Sequence, residues 1–266
     1  MKTYQRILIW THSRLEESGF LSSKYGFHLY VRSYFFYKRF FEARKLIGLL
    51  KTAFKLIGEN NFIFVDIGCH IGFVSSFVLH HRSDATVISV DPDERNIDMF
   101  SRINKRNIKY SNLSILNSAV WEFNGTIPFN FEKSNTANNK FDSLGTDFVE
   151  CISINTLLND FNKEIVLIKI DVQGFELEVL NGSLEALSKN FVFLILEIDH
   201  SAIFARGSSS HDLIKKLKSL GFSAYCDSTN SKYLDGDLLE LLDRQSCIDV
   251  LFVPEELSDF KNKIKM

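Results

Sequence analysis

The chain has no apolar run near the roughly 18–20 residues that a membrane-spanning helix needs. Its longest run, Phe191–Leu196, has the length of a buried strand. Only three prolines occur in 266 residues, which argues against Pro-rich linkers. The four cysteines (Cys69, Cys151, Cys226 and Cys247) are scattered and form no C-x-x-C pair. Reduced thiols in a cytoplasmic protein are the reading they support. The first residues are followed only by a short apolar patch, Ile7–Trp10, so no signal peptide is expected. No H-x-x-x-H with a third ligand accompanies His80, His81 or His211, and no metal is expected. The dinucleotide fingerprint G-x-G-x-x-G is also missing.

Net charge is only −2, but it is unevenly placed. Cations dominate the first 60 residues and acids dominate the rest. An acidic body of this kind does not suit nucleic acid, and no such partner is expected. Aromatic content is almost all phenylalanine, with 25 Phe against 2 Trp. Residues 29–45 concentrate aromatic and basic side chains. They read either as a helix packed on the main domain, with its basic edge solvated, or as a weak contact for an anionic membrane surface or a lipid-linked glycan. We divide the chain into a basic, aromatic extension, 1–45, and a main domain, 46–266.

From residue 46 the pattern alternates. Apolar runs predict strands near 62–67, 86–91, 113–118, 165–170, 191–197, 222–226 and 247–253. Helical spacing predicts helices near 46–57, 72–82, 94–106, 175–188 and 210–220. Strands alternating with helices imply an α/β fold, doubly wound around a mostly parallel seven-stranded sheet. The polar stretch before the last strand allows that strand to run antiparallel. Residues 119–150 read as a loop-rich excursion around one short strand.

Four stretches carry the candidate chemistry. Phe62–Val65 is a short apolar strand, followed by Asp66, Gly68 and Gly72 as D-x-G-x-x-x-G. A strand, a glycine turn and a helix form a cofactor pocket in doubly wound proteins. A carboxylate at this turn repels a pyrophosphate and suits a cationic amino-acid group, which favours S-adenosylmethionine over a dinucleotide. Asp91 ends the second strand, where an acid binds ribose hydroxyls; with Pro92 and Asp93 it also resembles a helix start. The strand Ile165–Ile170 gains Lys169, Asp171, Gly174 and Glu176 at its carboxyl end, which reads as a site or as an internal ion pair. Leu194–Leu196 leads into Glu197, Asp199 and His200. The histidine is a general base or a loop residue, on the opposite face from Glu197 if the strand continues.

In order and spacing these stretches resemble the FkbM-type family of S-adenosylmethionine-dependent methyltransferases. The family loop V-D-I-G-A-N-I-G is similar to Val65-Asp66-Ile67-Gly68-Cys69-His70-Ile71-Gly72. The family signature K-I-D-V-E-G-x-E-x-x-V-L-x-G resembles Lys169 through Gly182, with Gln173 in place of Glu. Asn117-Ser118-Ala119-Val120 resembles its alanine–valine element, and Leu196-Glu197-Ile198 its fifth-strand acid. The resemblance implies a Rossmann-like methyltransferase fold and methylation of a hydroxyl on a sugar, glycan or complex metabolite. Asp66, Gly68, His70, Gly72, Asp91, Ser118 and Ala119 are the implied cofactor residues. Asp171, Glu197, His200 and Lys169 are the candidate catalytic residues, with His200 as base. Two rivals remain: a catalytically inactive S-adenosylmethionine-binding module and a nicotinamide-dependent oxidoreductase.

Overall fold

The computed structural model describes residues 24–38, 43–107, 111–131, 140–141, 144–226, 231–232, 238, 240–241 and 247–255. The strands are β1 (Ile63–Ile67), β2 (Thr86–Asp91), β3 (Leu113–Asn117), β4 (Ala119–Val120), β5 (Gly125–Asn130) and β6 (Lys140–Phe141). They continue with β7 (Asp147–Ile152), β8 (Ile165–Ile170), β9 (Phe191–Asp199), β10 (Phe222–Cys226), β11 (Ser231–Lys232) and β12 (Cys247–Pro254). The main sheet has the order β11-β10-β12-β9-β8-β1-β2-β3. Strands β3, β2, β1, β8 and β9 are parallel, and β12 runs antiparallel to both β9 and β10. The seven expected strands are therefore present, and the two-residue β11 extends the edge.

The central strands are buried on both faces, so their sequences run apolar without alternation. One face packs Val65, Ile168, Leu194 and Val250 against helices Glu176–Asn181 and Ser210–Ser219. The other packs Phe64, Leu167, Phe193 and Leu251 against helices Arg44–Ile57 and Phe73–His81. Helix Arg44–Ile57 forms because Leu46, Ile47, Leu50, Ala53 and Ile57 fall on one face, and Gly58 ends it with φ of 71°. The division expected at residues 45/46 falls inside this helix.

Two expectations need correction. Residues 119–150 are not an excursion around one strand: β4, β7, β5 and β6 form a second, four-stranded sheet. Its pairing is mostly non-local, and Gly125 and Pro128 within β5 mask the strand pattern. The helix expected over 175–188 is two, Glu176–Asn181 and Leu184–Lys189. The break sits at Gly182, where a Cβ would lie 2.4 Å from the Trp121 carbonyl oxygen. The second sheet presses against the chain at that point.

The second sheet encloses its own apolar cluster of Trp121, Ile127, Phe129, Val149 and Phe175. Trp121 stacks on Phe141 with ring centroids 4.9 Å apart, and Arg206 lies 4.2 Å above Phe175. Phe175 belongs to the loop after β8, so this sheet braces that loop. Helix Lys24–Tyr37, from the aromatic segment, packs on the turn after β1: Val31 joins Ile71 and Ile103, and Phe35 meets Phe73 edge-on at 5.4 Å. Among the described residues no helix is long and apolar enough to cross a membrane.

Gly182→Ala should lower stability by about 1–3 kcal/mol through overpacking. Gly48→Ala is the control, because its Cβ would meet nothing within 4 Å and lies within a helix. Urea unfolding should show a lower midpoint with unchanged slope for the first variant and no loss for the second.

Candidate active site

The loop after β1 contains three left-handed residues, Gly68 (φ 73°), His70 (φ 50°) and Gly72 (φ 77°). Its amides point inward. Gly68 and Cys69 both donate to the Val90 carbonyl at 3.0 and 3.1 Å, and Gly72 donates to Cys69 O at 2.9 Å. The His70 amide donates to Asp91 Oδ2 at 2.9 Å. Helix Phe73–His81 begins here, and Asp66 occupies its start: Asp66 Oδ2 accepts from Ser75 N at 3.1 Å and Ser75 Oγ at 2.6 Å. A helix N-terminus usually attracts phosphate. Here an internal carboxylate already satisfies it, and these four loop amides are spent. The turn therefore offers no cradle for a pyrophosphate.

This geometry revises the expected roles of the loop residues. Asp66 is fully buried beneath the loop. The glycines admit other parts of the chain: a Cβ on Gly68 would lie 2.0 Å from Asp171 O, and one on Gly72 would lie 2.2 Å from the Phe100 ring. A branched side chain at Gly68 would thus strain the fold itself, not only a cofactor contact.

The strand registers align a row of side chains at the carboxyl edge of the sheet. Ile67 pairs with Val90 and with Ile170, Ile170 with Leu196, and Glu197 with Asp249. One residue beyond the first three pairs, the row reads Asp91, Gly68, Asp171, Glu197 and Asp249. Two residues below this row, Asp66 pairs with Lys169. Lys169 is 4% exposed; its Nζ lies 3.2 Å from Asp171 Oδ2, 3.5 Å from Asp66 Oδ1 and 3.4 Å from Gly68 O. Burial works to lower its pKa, but the charges of Asp171 and Asp66 outweigh it and hold the ammonium protonated.

Along the row the carboxyls divide. Burial works to raise Asp171, but Lys169 and a hydrogen bond from Glu197 outweigh it and hold it below the usual range. Glu197 is pushed up to about 9, first by the Asp171 charge and then by burial, so it is the protonated partner. Asp249 rises to about 6 through burial and Asp171, while Lys169, Lys45 and Lys38 oppose the rise. Sequence reading missed Asp249; the signal was an acid inside the apolar run Ile248–Val253. Asp91 rises to about 6 through burial, although Asn96 Nδ2, Asp93 N and His70 N all donate to it.

The remaining candidates fall at different places. Gln173 adopts φ of 56° and its Nε2 lies 3.4 Å from Asp171 Oδ1. The Ser118 amide donates to Asp91 O at 3.1 Å, while its hydroxyl turns to Glu150 O; Ala119 is buried in the second sheet's cluster. His200 is corrected: strand geometry ends at Asp199, which caps helix His200–Ala205. The His200 Nδ1 then lies 3.1 Å from Oγ of the buried Ser210, on a helix covering the other sheet face. His200 therefore does not join the row. Glu176, expected in a site or in an ion pair with Lys169, is instead buried beneath the loop after β8, accepts from the Gly174 amide at 3.1 Å, and is pushed up to about 7 by burial. Among the described residues no three His, Cys, Asp or Glu side chains converge as a metal site.

Residues 66–224 match the model of the methyltransferase FkbM domain. No curated protein matches the chain. Solved structures similar to it include a putative S-adenosylmethionine-dependent methyltransferase from Listeria monocytogenes, 12% identical, with TM-score 0.44, covering 80% of this chain and 99% of that one. A SAM-dependent methyltransferase from Aquifex aeolicus is 13% identical, with TM-score 0.41, covering 77% and 88%. Precorrin-6y C5,15-methyltransferase from Geobacter metallireducens is 9% identical, with TM-score 0.41, covering 77% and 86%.

The shared proton of Asp171 and Glu197 has a measurable consequence. Unfolded, Glu197 ionises near the ordinary glutamate value of 4.5; folded, it keeps its proton to about 9. Stability from this group is therefore complete below about 4.5 and is lost as pH rises through the folded value. The melting temperature should fall from about pH 7 to about 8.5. It should fall less in Glu197→Gln, which keeps a neutral donor beside Asp171. An equal fall in both proteins would show that the pair holds no extra proton.

Proposed function

Because the chain belongs to the FkbM family of methyltransferases, we propose that it methylates a hydroxyl of a sugar, a glycan or another complex metabolite. It is a methyltransferase and its cofactor is S-adenosylmethionine, so the nicotinamide reading falls away. The site suits this group. The loop's inward amides refuse a pyrophosphate, and the carboxyl row favours a cationic ligand. When bound, the cofactor supplies an electrophilic methyl on a sulfonium.

The observation that carries the reading is Asp171, 3.2 Å from the buried Lys169 ammonium, which with Glu197 beside it favours the ionised carboxylate. In our reading Asp171 accepts a hydrogen bond from the acceptor hydroxyl and aligns its oxygen. As the oxygen gains a carbon it becomes positive, and its O–H becomes far more acidic than any carboxylic acid. Even an Asp held low then takes that proton. Its charge also stabilises the developing positive oxygen. Gln173 Nε2 lies within reach of Asp171 Oδ1 and would help to orient that carboxylate. Asp91 would hold the ribose hydroxyls, with Ser118 and the loop around His70 shaping the same wall. Exposed Leu29 and Phe36 on helix Lys24–Tyr37 form the face that an anionic membrane or lipid-linked acceptor would meet.

Two sets of variants test this. Asp91→Ala should weaken S-adenosylmethionine and S-adenosylhomocysteine equally, by about 1.5–3 kcal/mol per hydrogen bond lost. A selective effect on one of them would contradict the ribose role. Calorimetry reads both affinities.

Asp171→Asn should lower turnover about 10²–10⁴-fold with S-adenosylhomocysteine affinity within about twofold. His200→Ala should retain near-normal turnover. The assay is methyl transfer to a panel of hydroxyl-bearing saccharides, read by product mass. Tight cofactor binding with no turnover on any acceptor would return the chain to a binding module.

A further inference from the structure

We propose that Tyr34, on a helix outside the matched family domain, is a positioning residue for the cofactor loop, acting through the ring of His70. The Tyr34 hydroxyl lies 3.4 Å from His70 Nδ1, and the two rings are 6.4 Å apart between centroids. The contact is not isolated. Val31 and Phe35 of the same helix pack against Ile71 and Phe73, so one helix face grips the loop at successive positions. The matched domain begins at residue 66, whereas this helix spans Lys24–Tyr37.

His70 is also where the loop departs from the family pattern, with His in place of Asn. Its backbone is left-handed, at φ of 50°, which non-glycine residues adopt uncommonly. That conformation aims the His70 amide at Asp91 Oδ2, 2.9 Å away. A ring held by Tyr34 stabilises the conformation from the side-chain end. Burial, aided by the Lys38 charge, lowers the His70 pKa to about 4, so the ring is neutral and can pair with a phenol. The chain of contacts thus runs from Tyr34 to His70, from His70 to Asp91, and from Asp91 to the ribose hydroxyls. The last link rests on the ribose reading given above.

Calorimetry of the full chain with S-adenosylhomocysteine tests the inference. Tyr34→Phe should raise Kd roughly three- to tenfold, the range for one lost neutral hydrogen bond. Its melting temperature should stay within about 2 °C of the parent, since the packing of the helix is kept. His70→Asn keeps a residue tolerant of the left-handed region but removes the ring. In that background Tyr34→Phe should have no further effect on Kd. Unchanged affinity in folded Tyr34→Phe, or full additivity of the two substitutions, would overturn the proposal. If Asp91→Ala bound S-adenosylhomocysteine normally while Tyr34→Phe did not, the ribose reading would fail and Tyr34 would act on the loop directly.

Discussion

A single buried ammonium, that of Lys169, holds the reaction end of the sheet together. It reaches Asp66 under the glycine loop, the Gly68 carbonyl within it, and Asp171 at the end of β8. These groups come from two neighbouring strands and the turn between layers. Removing one member of a buried ion pair is severe, about 3–5 kcal/mol, because the other charge is left uncompensated. Here it would also release Asp171 from the orientation that the proposed chemistry requires. Stability and site geometry are thus the same set of contacts seen from two sides.

Asp66 shows how the fold chooses its ligand class without touching the ligand. By occupying the start of helix Phe73–His81 it neutralises the helix dipole internally. The feature that makes such turns bind phosphate is thereby consumed. What remains at the carboxyl edge of the sheet, among the described residues, is a row of carboxyls above the buried Lys169. At least one of those carboxyls must stay protonated, because like charges directly opposite on paired strands repel. The Asp171–Glu197 pair resolves that conflict by sharing a proton. Two outlying parts brace the arrangement. The second sheet packs Trp121 on Phe175 behind the Asp171 loop, and helix Lys24–Tyr37 packs on the loop at His70 and Ile71.

Much of this was legible in the sequence for simple reasons. Buried parallel strands read as unbroken apolar runs, so Ile165–Ile170 and Phe191–Leu196 announce themselves, and a charge that interrupts such a run marks the carboxyl edge. Lys169, Asp171 and Glu197 were found on that ground. Asp249 obeys the same rule but is hard to read, because its strand follows a long polar stretch and its neighbours in the row are distant in sequence. The β4–β7 sheet was hidden because its strands are short, and Gly125 and Pro128 interrupt one of them. The break in the helix at Gly182 was invisible because its cause, the Trp121 carbonyl, lies 61 residues away in the chain.

Local pattern alone determined the α/β alternation, the glycine turn and the acids at strand ends, because each depends on neighbours within one element. Tertiary structure decided what no local pattern encodes. Pairing of β9 with β12 brought Asp249 opposite Glu197. Pairing of β1 with β8 set Lys169 beside Asp66, deep enough that its charge is retained only by its partners. The end of β9 as a strand turned His200 toward Ser210 and away from the row. Asp66 holds the start of helix Phe73–His81 and Gly68 lies against the Asp171 carbonyl, contacts that only the packed chain reveals. Burial and distance assign such roles, and both are properties of the packed chain rather than of any segment of it.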